Sequence, residues 1–145
     1  MMSVIVRTTA KALMMFILTY GMYVIANGHI TPGGGFQGGT IIASAIILGL
    51  LAYGKSASEF FEETRLGFAE NIGSITYITI AFFGVLVGGE FLQNDGVFGL
   101  GDVGKLFSAG FMPPLNAAIG TKVAAGMGTI AILFISLIWN DDHVG

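Results

Sequence analysis

The chain has no cysteine, which excludes disulfides, iron–sulfur ligation and thiolate zinc sites built from its own residues. Any electrons that move nearby are carried by another subunit. Charge is scarce as well: only 10% of the 145 residues are Asp, Glu, Lys or Arg, against about 25% in soluble domains. That is too little to clothe an apolar core in a polar shell. The six Lys and Arg form no cluster, so neither nucleic acid nor an anionic headgroup surface finds a footprint. What fills the chain instead is apolar, with 54% hydrophobic residues and a mean hydropathy of +0.81. Most of it must face lipid or other apolar protein.

A bilayer core of about 30 Å takes about 20 apolar residues in a helix. Four segments qualify, at about 12–28, 38–54, 71–91 and 115–139. They predict an all-α, multi-pass protein of the cell membrane, a single membrane domain over 1–145 with four transmembrane helices. The first run follows Arg7 and Lys11 as a signal peptide would, but it lacks a convincing small-residue cleavage site, so it reads as a retained helix. Residues 55–70 hold six of the fifteen charged residues, and Phe60, Phe61, Leu66 and Phe68 outline the apolar face of a short interfacial helix. The segment 93–114 carries Asp95, Asp102 and Lys105 and ends on Pro113 and Pro114, which bar a continuous helix into the fourth span. A short helix between turns is expected there. Arg7, Lys11, Lys55 and Arg65 fall on one side and only Lys105, with Lys122 if it is shallow, on the other, so the bias of positive charge toward cytoplasmic loops sets both termini in the cytoplasm. Labelling of the tail at His143 from outside the cell would reverse that orientation.

Small residues recur four apart at Gly84 and Gly88 and at Gly120, Ala124 and Gly128. In lipid, helices associate through packing, and such stripes let backbones approach closely. Four short helices have little interior of their own, so most of these stripes are expected to meet other subunits.

The most informative segment lies between the first two spans. Residues 28–39 read Gly-His-Ile-Thr-Pro-Gly-Gly-Gly-Phe-Gln-Gly-Gly, an irregular turn beside hydrocarbon, where backbone N–H and C=O groups persist only with protein or a water-filled cavity around them. The spacing is not that of a phosphate-binding P-loop, and no basic residue follows until Lys55. Close backbone approach to a partner helix, or a broken helix end facing an ion path, fits the glycines better, with Phe36 as the bulky anchor. For His29 two roles stand side by side: imidazole exchanges protons near neutral pH, or it ties down the loose backbone of the turn. Lys122 lies inside the fourth span, where an ammonium costs about 2.5–3.5 kcal/mol on insertion scales. It snorkels to the interface from a helix starting near Asn116, pairs with Glu90 at the end of the third span, or takes part in transport. Glu59, Glu62, Glu63 and Glu70 read as a solvated face.

The twelve contiguous residues 28–39 resemble the signature of the B subunit of Mrp-type (Mnh-type) multisubunit sodium/proton antiporters, the MnhB/MrpB family, with homologues in archaeal membrane-bound hydrogenases and sulfur-reducing complexes. The resemblance implies a small non-catalytic membrane subunit, without a cofactor of its own, packed among other hydrophobic subunits that help translocate cations. Its partners would include hydrogenase-like or complex-I-like subunits in the redox-coupled branch. The positions carried over are Gly28, His29, Pro32, Gly33, Gly34, Gly35, Phe36, Gly38 and Gly39; Lys122 and Glu90 rest on the physical argument alone. Around 116–122 the chain departs from bacterial antiporter members, which carry an acidic residue there, and this tilts the reading toward the archaeal branch. Two other readings compete: a stand-alone small transporter or channel, and a membrane oxidoreductase subunit that binds quinone or a redox cofactor.

Overall fold

The computed structural model describes residues 3–30, 33–86, 90–92 and 109–141. It is all-helical among these residues. Five helices follow in order: α1 (Val4–Ala26), α2 (Gly35–Tyr53), the short α3 (Lys55–Phe60), α4 (Glu63–Leu86) and α5 (Met112–Asp141). Four of them, α1, α2, α4 and α5, are long and apolar enough to cross a membrane. The chain is therefore a multi-pass membrane protein.

The helix ends follow local chemistry more closely than hydropathy. Ser3 caps α1 by accepting the Val6 N–H at 3.4 Å, the usual role of a small hydroxyl before a first turn. This starts α1 eight residues before the expected 12 and carries Arg7 and Lys11 into the helix. Arg7 is half-buried because its guanidinium lies 5.8 Å over the Tyr53 ring, while the Tyr53 hydroxyl donates to the Arg7 carbonyl at 3.1 Å. The start of α1 is thus tied to the end of α2. Gly54 breaks the chain between α2 and α3. The interfacial helix expected over 55–70 is confined to Lys55–Phe60, and Leu66 and Phe68 belong to α4. An acidic residue at the first turn, Glu63, suits the positive end of the α4 dipole.

α4 is described to Leu86, and the expected span to 91 is not helical at 90–92. Leu92, at a φ of 60°, donates its N–H to the Ala81 carbonyl at 3.4 Å, and the Phe91 ring meets Phe82 edge-on at 5.6 Å. The chain at 90–92 has folded back on α4 instead of prolonging it. Pro113 and Pro114 occupy the first turn of α5, where their missing N–H groups would have no helical partner anyway. Pro32, Gly88, the segment 93–108 with its expected short helix, and His143 lie outside the described residues.

The long helices stand in a row in the order α1, α2, α5, α4, each packed on the next, with α1 also touching α5 where Ile25 meets Gly120. The central helix α2 is half buried, whereas α1, α4 and α5 expose most of their length. The best-packed cluster joins Ile46, Leu50 and Ala57 with Phe61, Ala131 and Ile135 around them. A row of helices encloses little volume. Its two broad sides carry exposed large apolar side chains such as Phe16, Ile75, Phe82 and Phe134.

Candidate functional site

The glycine-rich run is the hub of this row. α1 ends at Asn27, whose N–H donates to the Tyr23 carbonyl, and a turn carries the chain to Ile30. The backbone resumes at Gly33 and enters α2 through Gly34, whose φ of 101° is a conformation that side chains with a Cβ rarely adopt. From there the glycines meet backbone on both sides. On the α1 side, Gly38 packs on Ile25 and on the Gly21 carbonyl. On the α5 side, Gly35 lies against the Asn116 carbonyl, and a Cβ at Gly39 would stand 2.7 Å from the Gly120 carbonyl and 2.8 Å from Val123 Cβ. Gly35 and Gly39 are one turn apart, as are Asn116 and Gly120, so two short stripes interlock at the α2–α5 crossing.

This corrects the expectation that the stripes meet other subunits. Gly120 packs on Ile25 and the Gly35 carbonyl, Ala124 is buried, and Gly128 receives Leu66 of α4 and Ile46 of α2. The α5 stripe is consumed within the chain. Phe36, like Gln37 beside it, is exposed, at 63%, while Gly34, Gly35, Gly38 and Gly39 around them are buried. His29 is half-buried in the turn.

Asn116 was visible in the sequence only as the start of a span. Its Oδ1 accepts the N–H of Gly35, the first residue of α2, at 3.4 Å. Gly34 has no side chain to cap that helix, so the cap comes from α5. Near Asn116 a cavity of about 220 Å³ opens between Tyr77, Leu92, Phe111 and Leu115. It is smaller than the roughly 300–1,000 Å³ typical of small-molecule sites.

A second polar group lies along the α4–α5 seam. Lys122 donates from Nζ to Ser74 Oγ at 3.0 Å, and Ser74 donates in turn to the Glu70 carbonyl at 3.0 Å. Gly73 makes the approach close, since a Cβ there would stand 2.8 Å from the Ala118 carbonyl. One turn earlier in α4, the Glu70 carboxyl lies beside Gly126, 3.4 Å from where a Cβ there would stand. Glu70 is therefore half-buried against α5, unlike Glu59, Glu62 and Glu63, which are exposed as a solvated face should be. Hydropathy placed Glu70 just outside the third span; the early start of α4 puts it about 10 Å inside the helix. Lys122 and Glu90 stand at different levels. Lys122 opposes the middle of α4, and Glu90 is exposed beyond its end, in the segment that docks back on Ala81 about two turns past Ser74. Among the described residues no cluster of three or more His, Asp or Glu could hold a metal ion.

Comparison with known proteins places this geometry. The model of a domain related to the MnhB subunit of a Na+/H+ antiporter matches residues 5–129. An uncharacterized protein of Methanocaldococcus jannaschii is 35% identical over 133 residues, which cover 89% of this chain and 51% of that protein. A Staphylococcus aureus protein bearing the name antiporter subunit mnhB2 is 40% identical over 87 residues, 56% of this chain and 60% of its own length. Among solved structures, a chain of the membrane-bound sulfane sulfur reductase, an archaeal respiratory membrane complex, is similar with a TM-score of 0.70 and 33% identity, over 90% of this chain and 57% of that one. The chain thus spans about half to three-fifths of the length of these relatives.

Proposed function

We propose, from the premise that the chain belongs to the family of domains related to the MnhB subunit of Na+/H+ antiporters, that it is a non-catalytic subunit of a cation/proton-translocating membrane module. In that module it packs among other hydrophobic subunits. The observation that carries this reading is how the glycine run is used. It is sunk into the chain's own helix crossings, so the part of the sequence most constrained by shape builds a scaffold. The broad sides of the row stay apolar and open, and are left for lipid and neighbouring subunits.

The similarity to a chain of an archaeal respiratory membrane complex over 90% of the sequence supports the redox-coupled branch, with sodium and proton movement in the module and electron transfer in subunits that carry the cofactors. A chain without cysteine supplies no iron–sulfur ligands to such a complex. On this reading the bias of Lys and Arg toward cytoplasmic loops supports both termini on the cytoplasmic side.

Native mass spectrometry after gentle solubilisation tests this reading. The expected result is a heteromer holding several other hydrophobic subunits together with iron–sulfur-bearing ones. A complex with hydrophobic antiporter subunits alone would keep the module and remove the redox branch. A homomer or a lone chain would overturn the proposal.

A further inference from the structure

We infer that the α4–α5 seam at Lys122 is a docking face for a neighbouring subunit, which lays a transmembrane helix there with a carboxylate level with the ammonium. This rests on the reading of the chain as one member of a heteromeric complex. Lys122 is the eleventh residue of α5 and opposes Ser74, the twelfth of the 24 residues of α4. At 1.5 Å per residue, Lys122 stands about 15 Å along α5 from Met112, about half the thickness of a hydrocarbon layer of about 30 Å. The snorkelling expected of a lysine near a helix start is out of reach at that depth, because a lysine stem spans only about 6 Å.

Yet Lys122 is exposed on the surface of the chain. Its hydrogen-bond partner, the Ser74 hydroxyl, accepts a proton but brings no charge. The Glu70 carboxylate is held one turn away against Gly126, at the next level of the seam. Among the described residues no further helix layer covers this place. An ammonium surrounded by lipid at the bilayer centre is expensive, and such groups face protein or water and pair with opposite charge. A lipid phosphate cannot descend to that level. What satisfies the site is an acidic side chain brought by another membrane helix, in van der Waals contact with the exposed apolar residues of α4 and α5.

The test uses the complex in its own membrane. Lys122→Met is expected to lower the amount of complex recovered at least tenfold, Lys122→Arg to restore it, and Glu70→Gln to keep more than half. In native membranes, dicyclohexylcarbodiimide activates carboxyl groups. The Lys122 amine then displaces the activated group to form an amide, and the reagent leaves as its urea, having taken up the oxygen of the carboxyl. Peptide mass spectrometry should find Lys122 joined to an Asp or Glu of a different subunit. The inference falls if the amide joins Lys122 to Glu70, if Lys122 yields no intersubunit product while other lysines do, or if the Lys122→Met complex forms at the wild-type level. Absence of any heteromer with the wild-type chain would instead defeat the functional reading on which the inference rests.

Discussion

Replacing Gly39 with alanine is expected to lower the thermal midpoint of the detergent-solubilised protein by several degrees, and placing valine at both Gly35 and Gly39 to abolish folded protein altogether. The reason is what the added carbon would strike. At Gly39 it meets the Gly120 carbonyl at 2.7 Å and Val123 Cβ at 2.8 Å, and at Gly35 it meets the Asn116 carbonyl and Ile119 Cβ. These are backbone atoms and first side-chain carbons, which cannot swing aside, so α2 and α5 must separate along their whole crossing. Overpacking of this kind costs about 1–3 kcal/mol per site and sometimes more, a large share of a total stability of about 5–15 kcal/mol. In lipid the separation is not offset by any hydrophobic driving force between helices, because close packing is what holds them. Gly67→Ala is the internal control. Nothing lies within 4 Å of a Cβ there, and alanine is the better helix former by up to about 1 kcal/mol, so this variant should melt at or above the wild-type temperature. Fluorescence-detected gel filtration after heating reads both. A Gly39→Ala chain as stable as Gly67→Ala would mean that the α2–α5 register is not the one described.

Why these contacts were hidden in the sequence, while the spans were not, has a physical answer. A run of apolar residues long enough for a bilayer announces itself in composition alone, and the described residues form four helices long and apolar enough to span one. Helix ends answer to single contacts. α1 begins at Val4 because Ser3 caps it and Tyr53 receives Arg7, 46 residues away. α4 begins at Glu63, and its first turns are held by Leu66 on Gly128 and Glu70 on Gly126. No local pattern encodes such long-range pairs. The same limit applied to function. Twelve contiguous residues pointed to the family, but the glycine spacing alone could not say whether its partner was another subunit or α5. Nor could any sequence spacing have joined Ser74 to Lys122, since the register of α4 on α5 depends on Gly73 admitting the Ala118 carbonyl.

The residue with the greatest leverage outside the glycine run is Asn116, and its substitution separates capping from packing. The first N–H groups of any helix lack intrahelical acceptors, and beside hydrocarbon there is little water to satisfy them. α2 begins with Gly34 as its capping position, which offers no side-chain oxygen; the Gly35 N–H relies on Asn116 Oδ1, 81 residues further along the chain. Asn116→Leu removes that acceptor and leaves the donor bare, at a cost of about 1–3 kcal/mol, and it puts a tetrahedral carbon branch where the planar Asn116 amide lies close to Gly28 and Gly34. Asn116→Ala removes the acceptor without the added bulk and should cost less. Asn116→Asp keeps an oxygen facing the positive end of the α2 dipole and should lie nearest the wild type. The expected order of thermal midpoints is therefore Asn, Asp, Ala, Leu. Hydrogen exchange supplies the sharper reading, because capping protects a particular amide: in Asn116→Ala the Gly35 amide should exchange faster, while amides in the middle of α2, near Ala45, change little. Unaltered exchange at Gly35 in that variant would show that the N-terminus of α2 finds its acceptor elsewhere, and the crossing would then be held by the interlocked glycines alone.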